Sequence, residues 1–301
     1  MRKSTVIWLA VATLLVVLGA VIFVCVMSVY EWDFSKLSTV EYETNEYTFS
    51  EEYKDIWVVT NEADIVFEIA EGEETKVVCY EDKNCAHSVS VNNGTLAIDV
   101  VDTRKWYEHI GINFSSPKIA VYIPAGEYGE LSIKTDTGDV VLPKELSFGG
   151  IDVSSDTGEV TNYASAIGDV SIKTSTGDVF VENVTAENLQ IFVSTGKVSL
   201  TSVQCKNFTS SGDTGDVYLS NVIASDKISV TRDTGDVRFD SSDAEKIVAT
   251  TETGDVSGTL LSEKVFVAFS ETGVVDVPET ERGGKCEITS TTGNIIIRIE
   301  E

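Results

Sequence analysis

The chain has 301 residues and carries 49 acidic against 22 basic side chains, a formal net charge of −27. That excess repels nucleic-acid phosphates and anionic headgroups and so excludes the polyanion-binding classes. A hydrophobic share of 42% with only four prolines describes a folded chain rather than a disordered stalk.

Residues 6–30 hold no charged side chain. As a helix this stretch would be about 37 Å long, enough to cross a hydrocarbon core of roughly 30 Å. A cleaved signal peptide would have a shorter apolar run and a small-residue cleavage site, which Cys25-Val26-Met27-Ser28-Val29-Tyr30 does not offer. Val24 before Cys25 argues against a lipoprotein anchor. Arg2 and Lys3 precede the run while Glu31 and Asp33 follow it, so charge bias places the N-terminus in the cytoplasm. The expected organisation is a cytoplasmic tail (1–5), a transmembrane signal anchor (6–30) and a linker (31–45), with everything beyond the anchor extracytoplasmic.

Residues 46–130 read as irregular early coils or a cap. Asp55-Ile56-Trp57-Val58-Val59 and Ala63-Asp64-Ile65-Val66-Phe67 alternate as strands do, and strand-like runs follow at 76–80, 88–91, 95–101 and 118–123. Cys79 and Cys85 flank a candidate hairpin tip, and an extracytoplasmic location permits a disulfide between them. Residues 102–116 interrupt the pattern with Trp106, Tyr107 and Phe114, which either anchor a partner or cover the end of the core.

From residue 131 the chain is periodic. Thr-Gly recurs nine times, with glycines at 138, 158, 177, 196, 215, 235, 254, 273 and 293, spaced by 19 or 20 residues. Two residues after each glycine stands Val140, Val160, Val179, Val198, Val217, Val237, Val256, Val275 or Ile295. Five before it the residue is apolar except at Ser210, and seven before it stand residues such as Leu131, Val170, Phe208 and Cys286. Apolar residues two apart make strands with one buried face, and a 19–20-residue unit has room for a third short segment such as Val184-Thr185-Ala186, set off by Asn183, Ser202 or Asn221. The prediction is an all-β, parallel β-helix-like solenoid over residues 131–301, whose stacked coils bury a valine and isoleucine column. Crossover rules favour a right-handed coil.

Carboxylates stand two before the glycine in six turns and directly after it in six, as in Asp136-Thr137-Gly138-Asp139. Asp213, Asp216, Asp233, Asp236, Glu252 and Asp255 form their densest run. Stacked at about 4.8 Å, neighbouring carboxylates repel by roughly 0.9 kcal/mol even in water, which a Ca²⁺ ion would relieve. The competing reading is a turn ladder screened by salt and by Lys173, Lys197 and Arg232. Cys205 and Cys286 fall in small or apolar columns and read as buried hydrophobes. His87 and His109 lie apart, no nucleophile–base or phosphate-loop pattern exists, and no cofactor beyond Ca²⁺ is implied, so the chain reads as no enzyme. The last strand, around Ile295, Ile297 and Ile299, reads as the open end of the stack, with self-association through this C-terminal edge checked by Arg298, Glu300 and Glu301.

An N-terminal anchor, a strand-rich lead, Ile119-Ala120-Val121-Tyr122-Ile123-Pro124 and the repeated Thr-Gly-Asp-Val turns resemble a bacterial domain-of-unknown-function family of putative adhesins, over about residues 40–301. The resemblance implies a membrane-anchored extracytoplasmic repeat protein with no established catalytic or ligand residues. The expected role is adhesion or cell-envelope interaction with a surface protein or glycan. Alternatives are an accessory of envelope-stress sensing that contacts a membrane partner, and a self-assembling surface scaffold.

Overall fold

The computed structural model describes residues 3–33, 40–106 and 116–300. They divide into two compact units, one of residues 3–33, 40–42, 103–106 and 116 and one of residues 43–102 and 117–300. In the first, Lys3–Val29 is a single α-helix. Its Ile7–Val29 stretch has a mean hydropathy of 3.0 and is long and apolar enough to cross a membrane. The helix stops where Glu31 and Trp32 enter the left-handed region at φ 57° and 61°, and the Trp32 amide donates back to the Met27 carbonyl at 2.8 Å.

In the second unit each repeat is one coil of a β-solenoid. The strand before each Thr-Gly stacks in parallel on its counterpart, Val170 on Leu189 and Ile172 on Ile191. The strand after it does the same, Val179 on Val198 and Val181 on Leu200. Alternation sends these residues inward, and all six of Leu131, Val153, Val170, Ile191, Ile228 and Ile247 are buried. Each such burial contributes roughly 1.5–3 kcal/mol, but only if the next coil covers it, which makes the stack cooperative. Asn183, Ser202, Asn221 and Ser241 take φ between 50° and 58° and bend the chain onto a third side, where Val184, Val203 and Val222 point inward. Asparagine and serine tolerate that region better than branched residues do.

The glycine column has a second reason beyond turn conformation. Gly177 sits at φ 143° and its amide donates to the Thr195 carbonyl at 3.0 Å. A Cβ at Gly177 would lie 2.0 Å from the Gly158 carbonyl oxygen, so the coils stack too closely there for any side chain.

Coils do not stack in chain order at either end. Ile56 pairs with Leu131 on one side and Leu96 on the other, and Ile65 pairs with Val140 and Ile119. The coil of Asp55–Thr60 and Asp64–Ile69 is thus sandwiched between the strands Thr95–Asp102 and Lys118–Ile123 and the Gly138 coil. Ala63 stands in the glycine column beneath Gly138. Antiparallel strands Thr75–Asp82 and Cys85–Asn92 flank this end, pairing Val77 with Val121 and Val89 with Ile98.

At the far end, Gly284–Thr292 pairs with Val237–Thr253 on one side and Lys264–Thr272 on the other, placing Ile288 between Ala249 and Ala268. Ile295 likewise lies between Val256 and Val275. The last coil in sequence is therefore the last but one in space. This corrects the expected C-terminal edge in part: Ile295 and Ile296 lie between two strands and the outermost edge belongs to Lys264–Thr272 and Val275–Asp276, while Ile297–Ile299 pairs on one side only. Val275 is accordingly the exposed member of a valine column that is otherwise buried.

Candidate functional site

The turn carboxylates have a structural task. After most of the glycines the amide of the following residue donates along the solenoid to a side-chain oxygen of a neighbouring coil. The aspartate one coil away accepts from it: Asp139 Oδ1 from the Glu159 amide at 2.7 Å, Asp178 Oδ1 from Lys197 at 2.7 Å, and Asp216 Oδ1 from Asp236 at 2.9 Å. Asp236 and Asp255 continue the series, accepting from the Asp255 and Asn294 amides at 2.7 and 2.6 Å. Each carboxylate thus satisfies a backbone donor and offsets part of the repulsion along its own column. Asp213, Asp233 and Glu252, two before the glycine, are exposed, and Asp213 takes a hydrogen bond from Ser194 Oγ at 2.5 Å. Lys197 and Lys173 sit over the Phe180 and Phe192 rings, at 4.8 and 5.7 Å from the centroids.

A different cluster brings mixed ligand types together. Cys79, Glu81 and His87 are all buried, and each offers one ligand atom within 4.8 Å of the other two. Among the described residues this is the grouping of three or more such side chains with that geometry. Thr75–Asp82 carries Cys79 and Glu81, two apart and on one face, and Cys85–Asn92 brings back His87. The sequence reading missed it by weighing Cys79 only against Cys85 and His87 only against His109. The legible signal was Cys-x-Glu and a histidine on two strand-like runs flanking one short turn.

The expected Cys79–Cys85 disulfide is not formed. Cys85 faces Asp82 across the hairpin, three residues along the strand from Cys79. At about 3.3 Å per residue that offset is roughly 10 Å, beyond the ~7 Å Cα limit for a bridge. Burial pushes the Cys79 thiol up to about 12, and Glu81 adds to the rise. Cys205 and Cys286 are buried as expected, and desolvation raises them to about 11 and about 12. Trp106 is exposed, while Tyr107 and Phe114 lie outside the described residues. Near the antiparallel end, Tyr53 stacks on Tyr128 at 6.0 Å, and Tyr128 meets Phe148 at 5.9 Å.

The family model for Toastrack DUF4097 matches residues 53–213 and 189–301, which covers most of the chain and nearly all of the solenoid. The chain belongs to the Toastrack DUF4097 family. No curated protein matches it. Among solved structures, a putative adhesin from Parabacteroides distasonis ATCC 8503 is similar at 12% identity, over 86% of this chain and 98% of that one, with a TM-score of 0.53. A putative adhesin from Parabacteroides merdae ATCC 43184 is similar at 11% identity, over 86% and 96%, with a TM-score of 0.52. A putative lipid binding protein from Parabacteroides distasonis ATCC 8503 is similar at 14% identity, over 87% and 98%, with a TM-score of 0.52. At these identities the likeness is one of fold.

Proposed function

We propose that this Toastrack chain is a non-catalytic, membrane-anchored extracytoplasmic repeat protein that acts in adhesion or as a cell-envelope interaction scaffold. The observation that carries this reading is the solenoid surface itself. Similar coils repeat one hydroxyl-bearing Thr-Gly turn nine times, seven of them with a carboxylate, which multiplies weak contacts by avidity and singles out no one reactive centre. The apolar stretch Ile7–Val29, with Arg2 and Lys3 before it and Glu31 and Asp33 after, supports anchoring with the solenoid outside. The putative adhesins of the same fold point the same way. Trp106, Tyr107 and Phe114 are proposed partner contacts, and Ca²⁺ at the outward oxygens of the turn ladder is a proposed cofactor of binding.

Cells expressing the full chain test this directly. External protease should degrade the solenoid on intact cells, and adhesion to glycan- or matrix-coated surfaces should rise severalfold over cells lacking the chain. Unchanged adhesion, with membrane signalling proteins co-purifying instead, would replace this reading by envelope sensing.

Self-assembly into a surface scaffold has an observation of its own. The open edge strand Lys264–Thr272 exposes Val265, Val267 and Phe269 outward and leaves Phe266 and Ala268 only partly covered. Antiparallel pairing of two copies about Val267 would set each Phe266 against an Ala268 and join the two cores.

A further inference from the structure

The Cys79–Glu81–His87 cluster is arranged as a ligand set with its outer support already in place. Asn45 Nδ2 donates to Glu81 Oε1 at 2.7 Å, which fixes the carboxylate and leaves Oε2 facing inward. Thr60 Oγ1 holds His87 Nε2 at 2.8 Å, which turns Nδ1 toward Oε2 at 2.6 Å. The Tyr47 hydroxyl donates to the His87 carbonyl at 3.0 Å, and the His87 amide donates to Glu81 Oε2 at 2.8 Å. The atoms left to face one another are therefore a carboxylate oxygen, an imidazole nitrogen and the fully buried Cys79 sulfur. Anchoring a histidine through its far nitrogen and a carboxylate through its far oxygen is how metal sites orient their ligands.

We propose that Cys79, Glu81 and His87 bind a zinc ion. Sulfur with nitrogen and one oxygen selects a borderline-soft divalent ion and disfavours Ca²⁺ and Mg²⁺, which take oxygen alone. Zinc bonds of about 2.0–2.3 Å place tetrahedral ligands roughly 3.3–3.7 Å apart. The three atoms already lie within 4.8 Å, and the 2.6 Å contact between Nδ1 and Oε2 has to open by only about 1 Å. On binding, the thiol proton leaves to solvent and His87 takes the tautomer with its one ring proton on Nε2, donated to Thr60, so that Nδ1 offers its lone pair to the ion and Glu81 stays a carboxylate. The product is a thiolate, a carboxylate, a neutral imidazole and one divalent cation. Its net charge is zero, the state that so buried a cluster tolerates at least cost. The three protein donors leave one tetrahedral position for a small ligand such as water.

The site lies where the antiparallel strands flank the first coils, and it joins Tyr42–Phe49, Asp55–Thr60, Thr75–Asp82 and Cys85–Asn92. Zinc there would fasten an end of the stack where the regular Thr-Gly columns are missing. It would be structural and would stabilise the folded chain through linkage.

The test uses the full chain in detergent, stripped with chelator and then reloaded. Zinc should bind at one equivalent and raise the melting temperature. Cobalt in its place should give the near-ultraviolet thiolate-to-metal charge-transfer band and the visible bands of a tetrahedral site. Cys79→Ser and His87→Gln should lose the band, Cys85→Ser should keep it, and Asn45→Ala should weaken zinc binding by roughly 10–100-fold. The wild-type spectrum decides even where a variant fails to fold: no charge-transfer band on a folded, reloaded chain overturns the proposal. A band that survives Cys79→Ser overturns it equally.

Discussion

Arg232 donates through Nη2 to Ser210 Oγ at 2.9 Å, and both residues are buried inside the solenoid one coil apart. Ser210 is the polar exception in an apolar column, and Arg232 occupies a column held elsewhere by residues such as Thr174 and Thr251. Gly212, below it, makes the room: a Cβ there would lie 3.0 Å from Arg232 Nη1. Three departures from the repeat therefore compensate one another. Arg232 is an interior residue, and its guanidinium still interacts with the Asp213 carboxylate of the turn ladder. Its second terminal nitrogen donates to the Thr231 carbonyl, its Nε has no partner, and burial lowers the guanidinium to about 10.

Ser210→Ala should cost about 1.5–3 kcal/mol, because it strips a buried cation of an acceptor. Adding Arg232→Met should recover most of that loss, since removing both partners leaves no charge to solvate. Urea melts of the single and double variants check it. A double variant less stable than Ser210→Ala would mean that the arginine is net stabilising.

Gly215→Ala should destabilise the stack by several kcal/mol. The new Cβ would lie 2.0 Å from the Gly196 carbonyl oxygen, and φ is already 132°. Gly72→Ala, with nothing within 4 Å of the added carbon, is the matched control and should stay close to wild type. Similar melting temperatures for the two variants would contradict the close stacking of the turns.

Alkaline pH should unfold the solenoid progressively. The buried Cys286 thiol is raised from 9.0 to about 12, so the folded state holds its proton more tightly than the unfolded chain does. Its contribution is complete below pH 9 and is lost as pH climbs toward 12. Cys286→Val keeps an apolar side chain in that column and should reduce the fall in stability by about 1.4 kcal/mol per pH unit across this window. Denaturant melts at stepped pH measure the slope, and identical slopes for the two proteins would refute the assignment.

The two candidate edges should behave differently. Lys264–Thr272 is unpaired on one side and exposes Val265, Val267 and Phe269, so Val267→Lys should suppress concentration-dependent association seen by light scattering. Arg298→Ile with Glu300→Val should change association less, because Ile295 and Ile296 are paired on both sides and only the short Ile297–Ile299 stretch has a single strand neighbour. The reverse outcome would restore the final strand as the edge.

If the turn ladder holds Ca²⁺, millimolar calcium should raise the melting temperature beyond what NaCl of equal ionic strength achieves. Asp236→Asn should abolish that gain while keeping the Oδ1 acceptor for the Asp255 amide, so basal stability stays near wild type. Asp236→Ala should cost about 0.5–1.5 kcal/mol with or without calcium. A salt effect equal to the calcium effect reduces the ladder to its hydrogen-bonding role.

The sequence by itself determined the coil. A 19–20-residue period, valine two after each glycine and apolar residues five and seven before it fix which side chains turn inward, because strand alternation is a local rule. It also placed Ala63 in the glycine column, and the polar corners at Asn183, Ser202 and Asn221. The tertiary structure alone decided which coil lies on which. Nearly identical columns fit against one another in any order, so the period is silent on whether Ile295 stacks on Val256 or Val275, and the connections and end contacts choose. The same holds for Arg232 with Ser210 and for His87 with Cys79 and Glu81. Each of those residues looks like an isolated exception along the chain, and only the packing of neighbouring strands makes them partners.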